Sequence, residues 1–180
     1  MRKFWLTLTD ARLKAVLKAL EASGPGLGEL AAEPSSAPAF FRPLRAALRA
    51  AAALPPSSPG ASRALAEAED FTARLEKFFS DLALHGTAPD AAAKEALLYL
   101  QRACCEAPGL LSLSGRAGAA SGISGLAAGA HKSLALAGAA ANAATADFPR
   151  NLKFSSIYSG LDAVISSYER CAEALFSVNS

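Results

Sequence analysis

Valine and isoleucine are nearly missing from this chain, with three of each among 180 residues, beside five threonines. Aromatic residues make up 7%. Strands draw on β-branched and aromatic side chains, so this composition excludes a substantial sheet. Histidine is almost as scarce: His85 and His131 are the only two. Cysteine occurs three times, at Cys104, Cys105 and Cys171. An odd number with two adjacent makes a poor disulfide framework, since neighbouring cysteines bridge only under strain. The three read as free thiols of a reducing, intracellular compartment, in the cytoplasm or an organelle. Long apolar runs are missing too. The uncharged stretches 117–130 and 133–146 hold 14 residues each. At about 1.5 Å per residue each reaches roughly 21 Å, short of a bilayer core of about 30 Å.

Alanine is abundant, at 44 residues. It loses no side-chain entropy in a helix and is the strongest helix former. The expected class is therefore all-α, a compact antiparallel bundle of five or six helices. The chain is long enough for one domain with a real core. Residues 1–56 read as an N-terminal helix, a linker and a short basic helix, either an arm or part of the same domain. Residues 57–180 read as the bundle core.

Punctuation places the helices. "TDARLKAVLKALEASGPG" has Thr9 as candidate N-cap, Leu13, Val16, Leu17 and Leu20 at helical spacing, and Gly24 past its end. The Gly-, Pro- and Ser-rich stretch that follows reads as a loop and gives a looser N-terminal third. "FFRPLRAALRAAAALPP" is a short helix with Pro43 in its first turn. From Ser62, Leu65, Ala68, Phe71, Leu75, Phe78 and Leu82 form one stripe that Gly86 closes. Thr87 opens the next helix, with Pro89 in its first turn, and Pro108-Gly109 stop it. Residues 110–147 are Gly/Ala-rich, Phe148-Pro149 break the chain, and a last helix buries Ile157, Leu161, Val164, Ile165, Tyr168, Ala172, Leu175 and Phe176.

The stretch "GLAAGAHKS" invites comparison with a phosphate-binding loop. Such a loop needs glycine directly before its Lys-Ser pair and a buried strand before the glycines. Here His131 holds the glycine's place and no such strand precedes it. Spacing explains the stretch better. Gly118, Gly122, Gly125 and Gly129 recur at steps of four, three and four, which aligns them on one helical face. A face without side chains lets another backbone approach closely, so these four glycines are candidates for tight helix packing.

No catalytic constellation follows. Serine lacks a nucleophile-elbow context. Cys104-Cys105 lack the spacer of zinc and redox motifs. Neither histidine falls in a metal-ligand pattern with a cysteine or a carboxylate on one helical face, and a helix-end role accounts for His85. The acids Glu67, Glu69, Asp70 and Glu76 crowd one helix and read as a solvated face. No cofactor and no metal site is expected. The chain reads as non-enzymatic.

Charge is small overall, +2, but uneven. Residues 1–54 carry a net +4 and residues 63–106 a net −3, so front and middle attract each other across a fold or the front meets an acidic partner. Arg42, Arg45 and Arg49 form an uninterrupted stripe opposite Leu44 and Leu48, preceded by Phe40-Phe41. These five residues are the candidate partner contact. Nothing interleaves aromatics with basic residues in a nucleic-acid pattern. The leading expectation is a protein–protein interaction module: a scaffold, adaptor or accessory subunit of a larger assembly. A peripheral membrane protein using its basic N-terminal helix and a Gly/Ala hairpin is the second reading. A binder of an apolar ligand or pigment in the bundle core is the third.

Overall fold

A computed structural model describes residues 10–55, 58–112, 114–143 and 148–178. Six α-helices account for nearly all of them: α1 (Ala11–Ala32), α2 (Ala37–Ala52), α3 (Pro59–Leu84), α4 (Ala91–Glu106), α5 (Arg116–Ala143) and α6 (Phe148–Ser177). Short 3-10 turns at Pro34–Ser36 and Ala107–Leu111 complete the described fold, which contains no strand. The all-α expectation holds.

The helices α3, α6, α5, α4 and α1 pack edge to edge in that order, and α1 returns to α3, closing a ring. The second helix lies outside the ring, against α1 and α3. Four of the five seams of the ring are antiparallel; α1 and α3 run parallel, both starting where Arg12 meets Ser62. Along the α3–α6 seam, Gly60 lies by Val178, Phe78 by Gly160, and Lys153 by the carbonyl of His85. Along α4–α5, Gly109 lies by Ala119, Tyr99 by Gly129, and Glu95 by Ser133.

The core is one continuous cluster, anchored by Phe41, Phe71, Phe79 and Tyr168. Full burial of one such side chain stabilises by about 1.5–3 kcal/mol. The α3 stripe foreseen from spacing is buried at every position. So is the α6 stripe, apart from Phe176, which is partly buried. Tyr168 sets its ring edge-on to Phe71, with centroids 5.4 Å apart, and its hydroxyl donates to the Ala103 carbonyl. A buried phenol needs that acceptor, because an unpaired hydroxyl in the core is costly.

Caps explain the helix boundaries. Thr9 lies outside the described residues. Asp10 caps α1, accepting from the amides of Arg12 (2.8 Å) and Leu13 (3.2 Å). Ser58 caps α3 through the Ala61 amide. Gly86, at φ +54°, ends α3 in the left-handed conformation. There the Gly86 amide donates to Ala83 and the Thr87 amide to Leu82, the double closure that glycine at this position permits. The expected Thr87 cap is not the one used: Asp90 caps α4 through the Ala93 amide (2.9 Å), and Pro89 precedes the helix. Phe148-Pro149 open α6 rather than interrupt the chain, since proline is tolerated in a first turn.

The largest correction concerns the N-terminal third. Ser23-Gly24-Pro25-Gly26 do not end α1; it continues to Ala32. Pro25 is exposed, as is Glu21 four residues earlier, so the carbonyl deprived of its donor lies on the solvent side of the helix. Glycine before Pro25 removes the Cβ that would clash with the proline ring in a helical conformation. Packing then holds the stretch, with Ser23, Gly24, Gly26, Leu27 and Leu30 all buried. In α2, which begins three residues before Phe40, Pro43 is likewise interior and exposed. This third is part of the core.

Candidate functional site

The arginine stripe splits on folding. Arg42 and Arg49 are exposed, but Arg45 pairs with Glu76 of α3 at 2.9 Å. Of the two phenylalanines before it, Phe41 is fully buried and unavailable to a partner. Phe40 packs edge-on against Phe41, at 4.9 Å between centroids, and covers Gly26. The five residues are therefore not one contact surface. Phe40 and Phe41 pin α2 to α1, Arg45 pins it to α3, and two arginines remain for solvent or a partner.

The glycine face also departs from expectation. A methyl group added at Gly118, Gly122 or Gly125 would meet nothing within 4 Å. Only at Gly129 does another side chain press close, with Tyr99 3.3 Å from the built Cβ position. The face that α5 turns inward is Ala119, Ile123, Ala127, Ala130 and Leu134. Among the described residues, Gly118, Gly122 and Gly125 bring no two helices together, because the larger residues of α5 claim the inner face.

The nearly uncharged outer face of α5 is thus left to solvent. It runs from Ala117 past Ala128 to Ala143, includes Leu136 at 64% exposure, and carries one charge among its exposed positions, Lys132.

His131 has a setting that spacing on a single helix did not reveal. Its Nδ1 lies 2.5 Å from Asp162 Oδ1 and its Nε2 3.0 Å from Glu169 Oε2, both on α6. A neutral imidazole donates from one nitrogen only, so carboxylates on both sides require the imidazolium. Partial burial opposes the charge, but the hydrogen bonds and charges of Asp162 and Glu169 outweigh it and raise the histidine's pKa above its ordinary value. The two acids occupy opposite edges of the ring, so the trio is no metal cage; among the described residues no group of His, Cys, Asp and Glu could hold an ion. The signal available in sequence was the seven-residue interval between Asp162 and Glu169, which places both on one face of α6.

Three of the four acids crowded on α3, Glu67, Asp70 and Glu76, pair with arginines rather than forming the solvated face expected. Arg170 of α6 donates to Glu67 (3.2 Å) and Asp70 (2.7 Å), and Arg74 shares Asp70. Burial favours the protonated form of Asp70, but Arg74 and Arg170 prevail and hold its carboxyl below the usual range. Glu67 and Asp70 thereby tie α3 to α6.

Arg12, which carries no signal in sequence, is buried at the meeting of three helices. Its guanidinium donates to Ser62 Oγ (2.6 Å) and to the carbonyls of Ala52 (3.1 Å) and Leu54, so a cation sits at the carbonyl end of α2. His85 is exposed and is the C-cap of α3. Of the thiols, Cys104 and Cys171 are buried and Cys105 is exposed. Burial pushes the Cys171 thiol up to about 12 and Cys104 further, so neither forms a thiolate near neutral pH. No described helix is long and apolar enough to cross a membrane.

A second feature had no signal in the sequence. A groove of about 680 Å³ runs along the α3–α6 seam, lined by Lys77, Phe78, Asp81 and His85 on one wall and by Leu152, Lys153, Ser156, Ile157, Ser159, Gly160 and Ala163 on the other. Arg74 and Leu82 complete it.

No protein-family model, no curated protein and no solved structure matches this chain.

Proposed function

We propose that this chain is a non-enzymatic interaction protein that binds a helix of another protein along the outer face of α5. The observation that carries the reading is the near-absence of charge on that face over a 28-residue helix. A helix that meets only water normally turns charged and polar residues outward. This one turns out alanine, glycine, serine and an exposed leucine. Gly118, Gly122 and Gly125 leave room for a second backbone to come close, since nothing among the described residues lies within 4 Å of a Cβ built there. The contact surface is thereby moved from the α2 arginines to α5.

The test is site-specific photo-crosslinking in the native source. A photoreactive side chain at position 125 or 136 is expected to give a discrete adduct with another protein, whereas one at Lys18, exposed on α1, gives none. Gly122→Glu, which adds a charge in open space, is expected to leave the fold intact and abolish the adduct. Diffuse labelling, or an adduct indifferent to Gly122→Glu, would remove this reading.

A further inference from the structure

The groove between α3 and α6 is built like a ligand site. Its lining extends from Arg74 to His85 on α3 and from Leu152 to Ala163 on α6. Twelve residues on each wall, eleven helical rises, make a slot about 17 Å long. The α6 wall is set by Ser156, Ser159, Gly160 and Ala163, small residues spaced so that they share one face. Phe78, Leu82 and Ile157 form a buried apolar floor. Its volume falls in the range of small-molecule sites.

The rim is cationic. Arg74, Lys77 and Lys153 line the groove beside a single carboxylate, Asp81. Lys77 is held by Asp81 at 2.6 Å, and Arg74 by Asp70, which it shares with Arg170. Lys153 differs. Its ammonium donates to the neutral carbonyl of His85 at 2.6 Å, and among the described residues no carboxylate pairs with it. Beside it Leu152 is 60% exposed.

Gly160 supplies an independent observation. It lies inside α6, where alanine would make a more stable helix. Its φ is not positive, and a methyl group there would make only ordinary contact with Phe78, at 3.6 Å. Neither backbone conformation nor tight packing requires the glycine. It does keep the floor of the slot open.

We propose that this groove binds a single-chain anionic amphiphile, a monomeric fatty-acid-like molecule. Lys153 holds the carboxylate head, and Phe78, Leu82 and Ile157 cover the acyl body. The site is separate from the outer face of α5, so either proposal stands if the other fails. Isothermal titration of the full chain with dodecanoate, below its micelle-forming concentration, is expected to show one saturable site. Lys153→Met weakens binding by roughly tenfold, the scale of a hydrogen bond to a charged group, and Lys153→Arg restores most of it. Gly160→Leu fills the slot, leaves every charge in place and abolishes binding while the helical circular dichroism is unchanged. Equal affinity for the neutral dodecanol would overturn the proposal, as would full binding by folded Gly160→Leu. Adsorption to phosphatidylglycerol vesicles without uptake of monomeric dodecanoate would also overturn it, since the cations would then serve a lipid surface.

Discussion

Two helices in this molecule carry runs of glycine, and they use them in opposite ways. In α1, Gly24 and Gly26 flank a proline and look like a stop signal, yet both are buried in the middle of a continuous helix. A Cβ at Gly24 would lie 3.2 Å from Cys104 Cβ and 3.3 Å from the Gln101 carbonyl oxygen, and one at Gly26 would lie 2.3 Å from the Phe40 ring. In α5, Gly118, Gly122 and Gly125 have the regular spacing of a packing face, yet a Cβ there would meet none of the described residues within 4 Å. Spacing defines a face but not which way it points. Direction is decided by competition around the helix. In α1, Leu13, Val16, Leu20, Leu27 and Leu30 share a face with the glycines and draw them in. In α5, Ile123 and Leu134 stand on a different face and turn the glycines out.

Substitution separates the two uses. Gly24→Val is expected to be the most damaging, because its neighbours are a backbone carbonyl and a Cβ that cannot swing aside. Overpacking of this kind costs about 1–3 kcal/mol, read as a lower urea midpoint at unchanged slope. Gly26→Ala should cost less, about 1 kcal/mol, since the half-buried Phe40 ring can rotate while the helix gains intrinsic propensity. Gly122→Ala should have the opposite sign and stabilise by about 0.5–1 kcal/mol, because open space receives the methyl group. A loss there in the isolated chain would show the α5 face to be packed after all.

The smallest effect concerns how α5 is held to α6. Asp162 and Glu169 raise the pKa of His131 above its unfolded value of about 6.5. The stabilisation is therefore fully present below that unfolded value and is lost as pH rises through the folded one. The ring and both acids are partly exposed, so water screens the pair and the effect is modest. Wild type and His131→Gln should differ in urea midpoint at pH 6 and converge at alkaline pH. A difference independent of pH would mean that packing of the ring, not its charge, ties the helices.

Much of the architecture was legible in one dimension. The α3 and α6 stripes, the glycine closing α3 and the poverty of β-branched residues were enough for an all-α bundle. The failures have a common physical cause. Thr87 and Asp90 are both competent caps, and Asp90 is the one that the Tyr158 hydroxyl of α6 reaches. Arg45 belongs to a stripe until Glu76 of another helix is opposite it. His131 appears isolated until α6 folds beside α5. Each depends on what a second helix brings to within a few ångströms.

The amino-acid order by itself determined that the chain is helical, where α3 and α6 run, and which of their faces avoid water, because propensity and periodicity act within a few residues of chain. The tertiary structure alone decided that α1 continues through Gly24-Pro25-Gly26, that the α5 glycines face outward, and that a cation-rimmed groove opens between α3 and α6. Those outcomes turn on contacts between segments far apart in sequence, where burial of a leucine or phenylalanine outweighs the local preference of a glycine or a proline.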